Sequence, residues 1–119
     1  MDLEQEIISL SGEIKAAQKI LIAIGDEVRQ HLILVMMNNG DCSGMRVGDI
    51  AAETRLSRPA VSHHLQILKE AGIVRMRREG TRNYYYFDAD MASFDRLIQM
   101  LEHAKMIMRE LPDRSGSDD

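Results

Sequence analysis

The residues best suited to chemistry form a polar and basic group between residues 55 and 82. This segment holds seven Lys and Arg residues against two acids, a net charge of +5, whereas the rest of the 119-residue chain carries -9. Guanidinium groups bind phosphate, and Arg and Gln pair well with guanine and adenine edges. The charge pattern therefore predicts DNA contact, with a solvated charged face as the alternative. The residues predicted to contact DNA are Ser57, Arg58, Ser62, His63, Gln66, Arg75, Arg77, Arg78, Thr81 and Arg82.

Two short helices joined by a tight turn position the first half of this group. The sequence predicts a helix over Val47–Thr54, a two-residue turn, and a second helix that Ser57 caps and that ends near Ala71, before Gly72. At 100° per residue, the second helix has a polar outer face and an inward face. This is the pattern of a helix-turn-helix, whose second helix enters the major groove. The inward face carries Ala60, Val61, His64, Leu65, Leu68 and Ala71.

A basic hairpin follows, and further helices flank these elements. Residues 73–78 and 83–87 are predicted strands, joined by the turn Glu79-Gly80-Thr81. Apolar residues spaced three and four apart predict one long helix from Leu3 to Ile24. A second helix over about Glu27 to Asn38, with Val28, Leu32 and Val35 facing inward, and a last helix over about Asp90 to Glu110 complete the set. The predicted fold is mainly α with a small β-hairpin, a winged helix-turn-helix of five helices plus wing over residues 1–112, followed by a disordered polar tail at residues 113–119.

The segment from Leu56 to Val74 resembles the recognition helix of the ArsR/SmtB regulators, and the resemblance continues through Arg77–Tyr85. Upstream, Ile24-Gly25-Asp26 and Arg29 resemble the entry to the family's second helix, so roughly residues 15 to 108 are covered. The resemblance implies a homodimeric repressor that binds a near-palindromic operator in double-stranded DNA and is released by an inducer. The first and last helices would form the dimer interface, although their apolar seams are equally compatible with packing inside one chain. The implied interface residues are Leu3, Ile7, Leu10, Ile14, Ala17, Phe94, Leu97, Ile98, Leu101 and Met108.

The metal ligands of this family are mostly missing. At the start of the predicted helix Val47–Thr54, the family's thiolate sensors carry a sequence similar to Cys-x-Cys-Asp-Leu-Ala. This chain has Arg46-Val47-Gly48-Asp49-Ile50-Ala51 there, so no thiolate is present. We therefore predict no metal and no cofactor, a solvated His103, a hydrogen-bonding role for His64 and a free, unreactive Cys42. Asp49 and Arg29 could form an ion pair or caps. The positions that match the ligands of zinc-type sensors are Asp90, Ala92, His103 and Met106.

Composition narrows the possible functions. The N-terminus lacks a basic flank and a long apolar run, and one cysteine cannot form an internal disulfide, so a cytoplasmic protein without a membrane partner is expected. No paired carboxylates, nucleophile-base set or phosphate loop stands at a recognisable spacing, which argues against an enzyme. Two alternatives stay open, a winged-helix interaction module without operator binding and a metal- or thiol-responsive sensor with a non-standard site. The inducer is unknown.

Overall fold

The computed structural model describes residues 2–40 and 43–112. Cys42 and the predicted tail at residues 113–119 lie outside the described residues. No helix in the described ranges is long and apolar enough to cross a membrane. These ranges fold into α1 (Leu3–Ala16), α2 (Gln18–Ile24), α3 (Glu27–Asn39), α4 (Val47–Thr54), α5 (Arg58–Glu70), β1 (Val74–Glu79), β2 (Arg82–Phe87) and α6 (Ala92–Glu110).

The described chain has six helices, so the prediction of five is wrong, and the difference lies in the first segment. The predicted helix from Leu3 to Ile24 is divided at Ala17, which has φ -94° and ψ 3° and is buried. Helix α1 packs on α6 and buries no side chain completely, whereas α2 packs on α3 and α5 and buries Ile20 and Ala23. Because of the bend, the apolar side chains of α1 and α2 pack against different elements. The spacing of three and four residues continues through the bend, so it does not reveal where the helix divides.

Asp26 caps helix α3, since its carboxylate accepts the Arg29 N–H at 3.0 Å. Of the three residues predicted to face inward, Leu32 is fully buried, Val35 is half-buried and Val28 is 37% exposed, so the prediction for Val28 is wrong. Arg29 occupies the neighbouring inward position because the carbonyl groups of α2 satisfy its guanidinium. A buried arginine is tolerated only with such partners.

The core lies where α2, α3, α4, α5 and β1 meet. Helix α6 closes one side of it with Leu97 and Met100, while Ile98, Leu101 and Met108, predicted to lie on the same stripe, are exposed in the single chain. Helix α6 starts at Ala92, two residues later than predicted. The Asp90 carboxylate accepts the Ala92 N–H at 3.1 Å in a turn just before the helix, and Met91, at the N-cap, makes no side-chain capping bond. The largest fully buried side chains are Leu32, Ile50, Val61, Leu65, Leu68 and Val74.

The two strands form the predicted hairpin and acquire a third partner. Arg77 pairs with Tyr84 across the ladder, and Gly80 has φ 63°, as its turn requires. Met45, just before α4, forms an isolated bridge with Tyr85 through two reciprocal N–H to carbonyl bonds of 2.8 Å. The hairpin is thereby joined to the start of the helix-turn-helix.

Candidate DNA-binding surface

Helix α5 is buried on one face and exposed on the other. The Ser57 hydroxyl accepts the Ala60 N–H at 3.2 Å and caps the helix as predicted, and Pro59 stands in the first turn. Val61, Leu65 and Leu68 are completely buried. The opposite face presents the exposed residues Ser62, His63 and Gln66, and the exposed Arg58 begins the helix. On this face Gln66 Nε2 donates to the Glu70 carboxylate at 3.2 Å.

One left-handed residue and two side-chain hydrogen bonds fix the tight turn between α4 and α5. Arg55 has φ 62°, a left-handed conformation that is uncommon for a residue with a Cβ. The Thr54 hydroxyl donates to the Ile50 carbonyl at 2.7 Å and accepts the Leu56 N–H at 3.4 Å. These bonds set the angle at which α5 leaves α4.

Arg29 connects the back of α5 to α2. It donates from Nε to the Ala23 carbonyl and from Nη2 to the Ile22 carbonyl, each at 2.9 Å, and its Nη1 lies 3.3 Å from His64 Nδ1. Because a guanidinium only donates, Nδ1 accepts and the imidazole is neutral. Burial lowers the pKa of His64, and the charge of Arg29 acts in the same direction, although Asp26 opposes it. The predicted hydrogen-bonding role of His64 is confirmed.

The open question about Arg29 and Asp49 is resolved in favour of separate roles. Asp49 accepts the Arg46 N–H at 3.3 Å in the first turn of α4. Arg29 instead lies 3.9 Å from the Asp26 carboxylate. The backbone N–H of Arg29 is the main reason that the pKa of Asp26 is lowered.

The residues predicted to contact DNA from the wing, which is the hairpin of β1 and β2, differ in exposure and in their contacts within the protein. Arg75, Arg78, Thr81 and Arg82 are exposed, and Arg78 Nε donates to the Gly80 carbonyl at 3.0 Å. Arg77 is held within the protein: its Nε donates to Glu79 at 2.8 Å, its Nη2 donates to the Ser43 carbonyl at 2.7 Å, and it lies over the rings of two tyrosines at 5.2 and 5.8 Å. Its guanidinium therefore braces the wing against the loop before α4.

His103 is not solvated as predicted, since its side chain is only 15% exposed. Its Nδ1 lies 2.6 Å from Glu13 Oε1, and its Nε2 contacts the Glu6 carboxylate, which joins α6 to α1. Both hydrogen bonds raise the pKa of His103. The two carboxylates approach opposite ring nitrogens, so they cannot converge on one metal ion. Within the described residues, no group of three or more His, Cys, Asp or Glu side chains is arranged to hold one.

The chain has a helix-turn-helix whose second helix is buried on one face, followed by a basic hairpin. This order of elements defines a winged helix-turn-helix DNA-binding protein. Residues 28–76 match the bacterial regulatory protein family ArsR. The chain is 43% identical over 74 residues to an uncharacterized HTH-type transcriptional regulator of Methanocaldococcus jannaschii, a match that spans 62% of this chain and 80% of that protein.

A second relative extends the match in sequence. A transcriptional repressor SmtB homolog of Synechocystis sp. is 32% identical over 101 residues, which span 85% of this chain and 72% of that protein. A homodimeric winged helix-turn-helix DNA-binding domain from Mycobacterium bovis has the same fold, with a TM-score of 0.52, 21% identity and coverage of 95% and 96% of the two chains. The chain therefore belongs to the ArsR family of winged helix-turn-helix proteins and is a DNA-binding transcriptional regulator.

Proposed function

We propose that the chain is a homodimeric repressor that binds a near-palindromic operator and leaves it in response to a signal. The observation that carries this proposal is the exposed polar face of α5, which stands opposite three completely buried residues and beside a basic wing. Its role is regulatory rather than catalytic, and we place it in the cytoplasm.

The proposed division of labour follows the chemistry of each side chain. Ser62, His63 and Gln66 project from the outer face of α5 and would contact base edges, where a Gln amide pairs with adenine. Ser57 and the exposed wing residues would contact the sugar-phosphate backbone and fix the orientation of α5 in the groove. These wing residues are Arg75, Arg78, Thr81 and Arg82.

The proposed dimer interface uses the apolar surface that α1 and α6 leave uncovered. Two of the ten residues predicted for it, Ala17 and Leu97, belong instead to the core of the single chain, with 2% and 6% exposure, and we omit them. Leu3, Leu10 and Phe94 are half-buried. The homodimeric Mycobacterium bovis domain supports the same assembly. The exposed members are Ile7, Ile14, Ile98, Leu101 and Met108.

A two-fold axis through that interface would present two α5 helices to successive major grooves. Half-sites about 10 base pairs apart, or one helical turn, are therefore expected. The test is to select duplexes from a random-sequence library with the purified protein and to footprint the winners. Selected sequences without repeated half-sites, or no selection at all, would contradict operator binding and favour an interaction module.

Base reading by α5 is tested with the double variant Ser62→Ala/Gln66→Ala. It should lose roughly 5- to 150-fold in affinity for the selected duplex, the equivalent of about 1–3 kcal/mol, and little for a scrambled duplex. Gln99→Ala on α6 removes the same amide away from the proposed DNA surface and should change neither affinity. An equal loss on both duplexes would refute base reading by these side chains. Release of the selected duplex by metals, oxidants or cell extract would then identify the signal.

A further inference from the structure

A small basic cleft lies where the first turn of α4, the first residue of α5 and the start of β2 meet. Its volume is about 150 Å³, which is below the range of roughly 300–1,000 Å³ that organic ligands occupy. The bridge between Met45 and Tyr85 holds these elements together. The walls of the cleft include Arg46, Gly48, Arg58, Thr81, Arg82 and Asn83.

The lining of the cleft suits an anion. Arg46, Arg58 and Arg82 bring three positive charges, and among the described residues none of the three pairs with a carboxylate. Asp49 lies one turn into α4, but its carboxylate accepts the Arg46 N–H and does not line the cleft. The N–H groups of Val47 and Gly48, at the start of α4, precede the first intrahelical bond, and the helix dipole adds positive potential there. The next N–H, that of Asp49, donates to the Arg46 carbonyl at 3.0 Å. A phosphate group matches this combination of guanidinium forks, hydroxyl and helix end.

Arg58 occupies a different position from the other polar residues of α5. Its Nη2 lies only 3.0 Å from the place where a Cβ on Gly48 would stand, so the guanidinium rests against the backbone of α4. It is directed into the cleft and not along the outer face that carries Ser62 and Gln66. A glycine at position 48 makes this approach possible.

We propose that this cleft binds one phosphate of the DNA backbone, held jointly by Arg46, Arg58 and Arg82. Arg58 then positions α5 on the duplex and does not read a base. Arg46, which the sequence did not single out, becomes a DNA contact. The inference rests on the proposed DNA contact by α5 and the wing.

The salt dependence of binding tests whether three arginines share one phosphate. Fluorescence anisotropy is measured over a KCl series with the selected duplex and a scrambled duplex of equal length. Each of the single variants should lower the affinity for the selected duplex and for the scrambled duplex by the same factor. These variants are Arg46→Gln, Arg58→Gln and Arg82→Gln. The triple variant should lower the slope of log K against log [KCl] by about 0.9, the value of a single phosphate. Arg75 lies on β1 outside the cleft, so adding Arg75→Gln to the triple variant should lower this slope further.

A second variant changes the geometry of the cleft and keeps its charge. In Gly48→Ala the new Cβ would stand 3.0 Å from Arg58 Nη2, so the guanidinium, the flexible end of a side chain, must shift by a few tenths of an ångström while the fold is retained. Affinity for both duplexes should fall by less than in Arg58→Gln, and the losses from the two substitutions should be less than additive. Thermal unfolding at the same protein concentration serves as the control for folding.

Four results would overturn the shared site. A slope change of about 2.7 in the triple variant would mean three separate phosphates. A changed ratio of affinities for the two duplexes in Arg58→Gln would mean that Arg58 reads a base. An unchanged slope with saturable binding of inorganic phosphate would mean a free-anion site. Unchanged affinity in all three single variants would remove the contact altogether. If wild type fails to prefer any selected duplex, the proposed operator binding fails, while the salt slopes on scrambled DNA still test the cleft.

Discussion

Replacing Arg29 with Met tests how the recognition helix is supported from behind. Arg29 is 8% exposed, and its two bonds of 2.9 Å go to the carbonyls of Ile22 and Ala23. Those carbonyls lie in the last turn of α2, where no further N–H of the helix is available. Its third nitrogen contacts His64 on α5. One side chain therefore caps α2, belongs to α3 and contacts α5.

The expected cost follows from these contacts. Met keeps most of the apolar stem, so the loss is polar: two charge-assisted hydrogen bonds are worth about 1.5–3 kcal/mol each. The Asp26 pair, at 3.9 Å with its carboxylate 38% exposed, adds little because solvent screens the two charges. Removing the buried charge also removes its desolvation cost, which offsets part of this loss of stability. We expect the free energy of unfolding to fall by about 3 kcal/mol, a large part of the 5–15 kcal/mol that is usual for a domain.

Urea unfolding followed by far-UV circular dichroism at one fixed protein concentration measures this loss. Arg29→Lys keeps the charge but cannot donate in the forked geometry, so it should lose roughly half as much. Arg96→Met, at an exposed position on α6, should stay within about 0.5 kcal/mol of wild type. A loss below about 1 kcal/mol for Arg29→Met, or an equal loss for Arg96→Met, would refute the reasoning.

Three further predictions concern the core, the junction of α1 with α6, and the wing. Leu65→Ala, at a completely buried site, should lower the free energy of unfolding by about 2–5 kcal/mol in the same urea assay. The raised pKa of His103 means that its stabilising contribution is full below its ordinary value of 6.5 and is lost as pH rises through the raised value. His103→Gln should therefore flatten the fall of stability with pH above 6.5, and an unchanged pH profile would contradict this. Gly44→Ala places a Cβ 2.7 Å from the Tyr85 carbonyl at φ 95°. It should cost about 1–3 kcal/mol and speed hydrogen exchange at the Tyr85 amide, whereas unchanged exchange would count against it.

The elements with strong local signals were predicted well. Helix α4 has the predicted bounds, Ser57 caps α5, and the hairpin turns at Gly80. In each case capping or turn residues stand within a few positions of the apolar pattern, so neighbouring residues alone determine the structure. The same locality explains why the buried and exposed faces of α5 agree with the prediction.

The features that were missed depend on residues far apart in the chain. The Met45 bridge, the Arg29 contact with His64 and the His103 contacts join positions that no periodic pattern relates. On α6, apolar residues occur on most sides, so neighbouring elements decide that Met100 and Ile107 are buried. Arg46 was missed because a single arginine before a helix carries no signal until the fold brings Arg58 and Arg82 beside it.

The packing of α1 on α6 also constrains how the protein is made. Glu6 and His103 are 97 residues apart, so α1 leaves the ribosome long before its partner exists. At roughly 5–20 residues per second, the first helix waits on the order of 5–20 s for the last one. The core between them can form in the meantime, because α1 contributes no fully buried side chain to it. In the dimer proposed above, a second chain growing on the same messenger would reach the waiting helix before α6 does, so completion of this end of the molecule and pairing with a second copy would compete during synthesis.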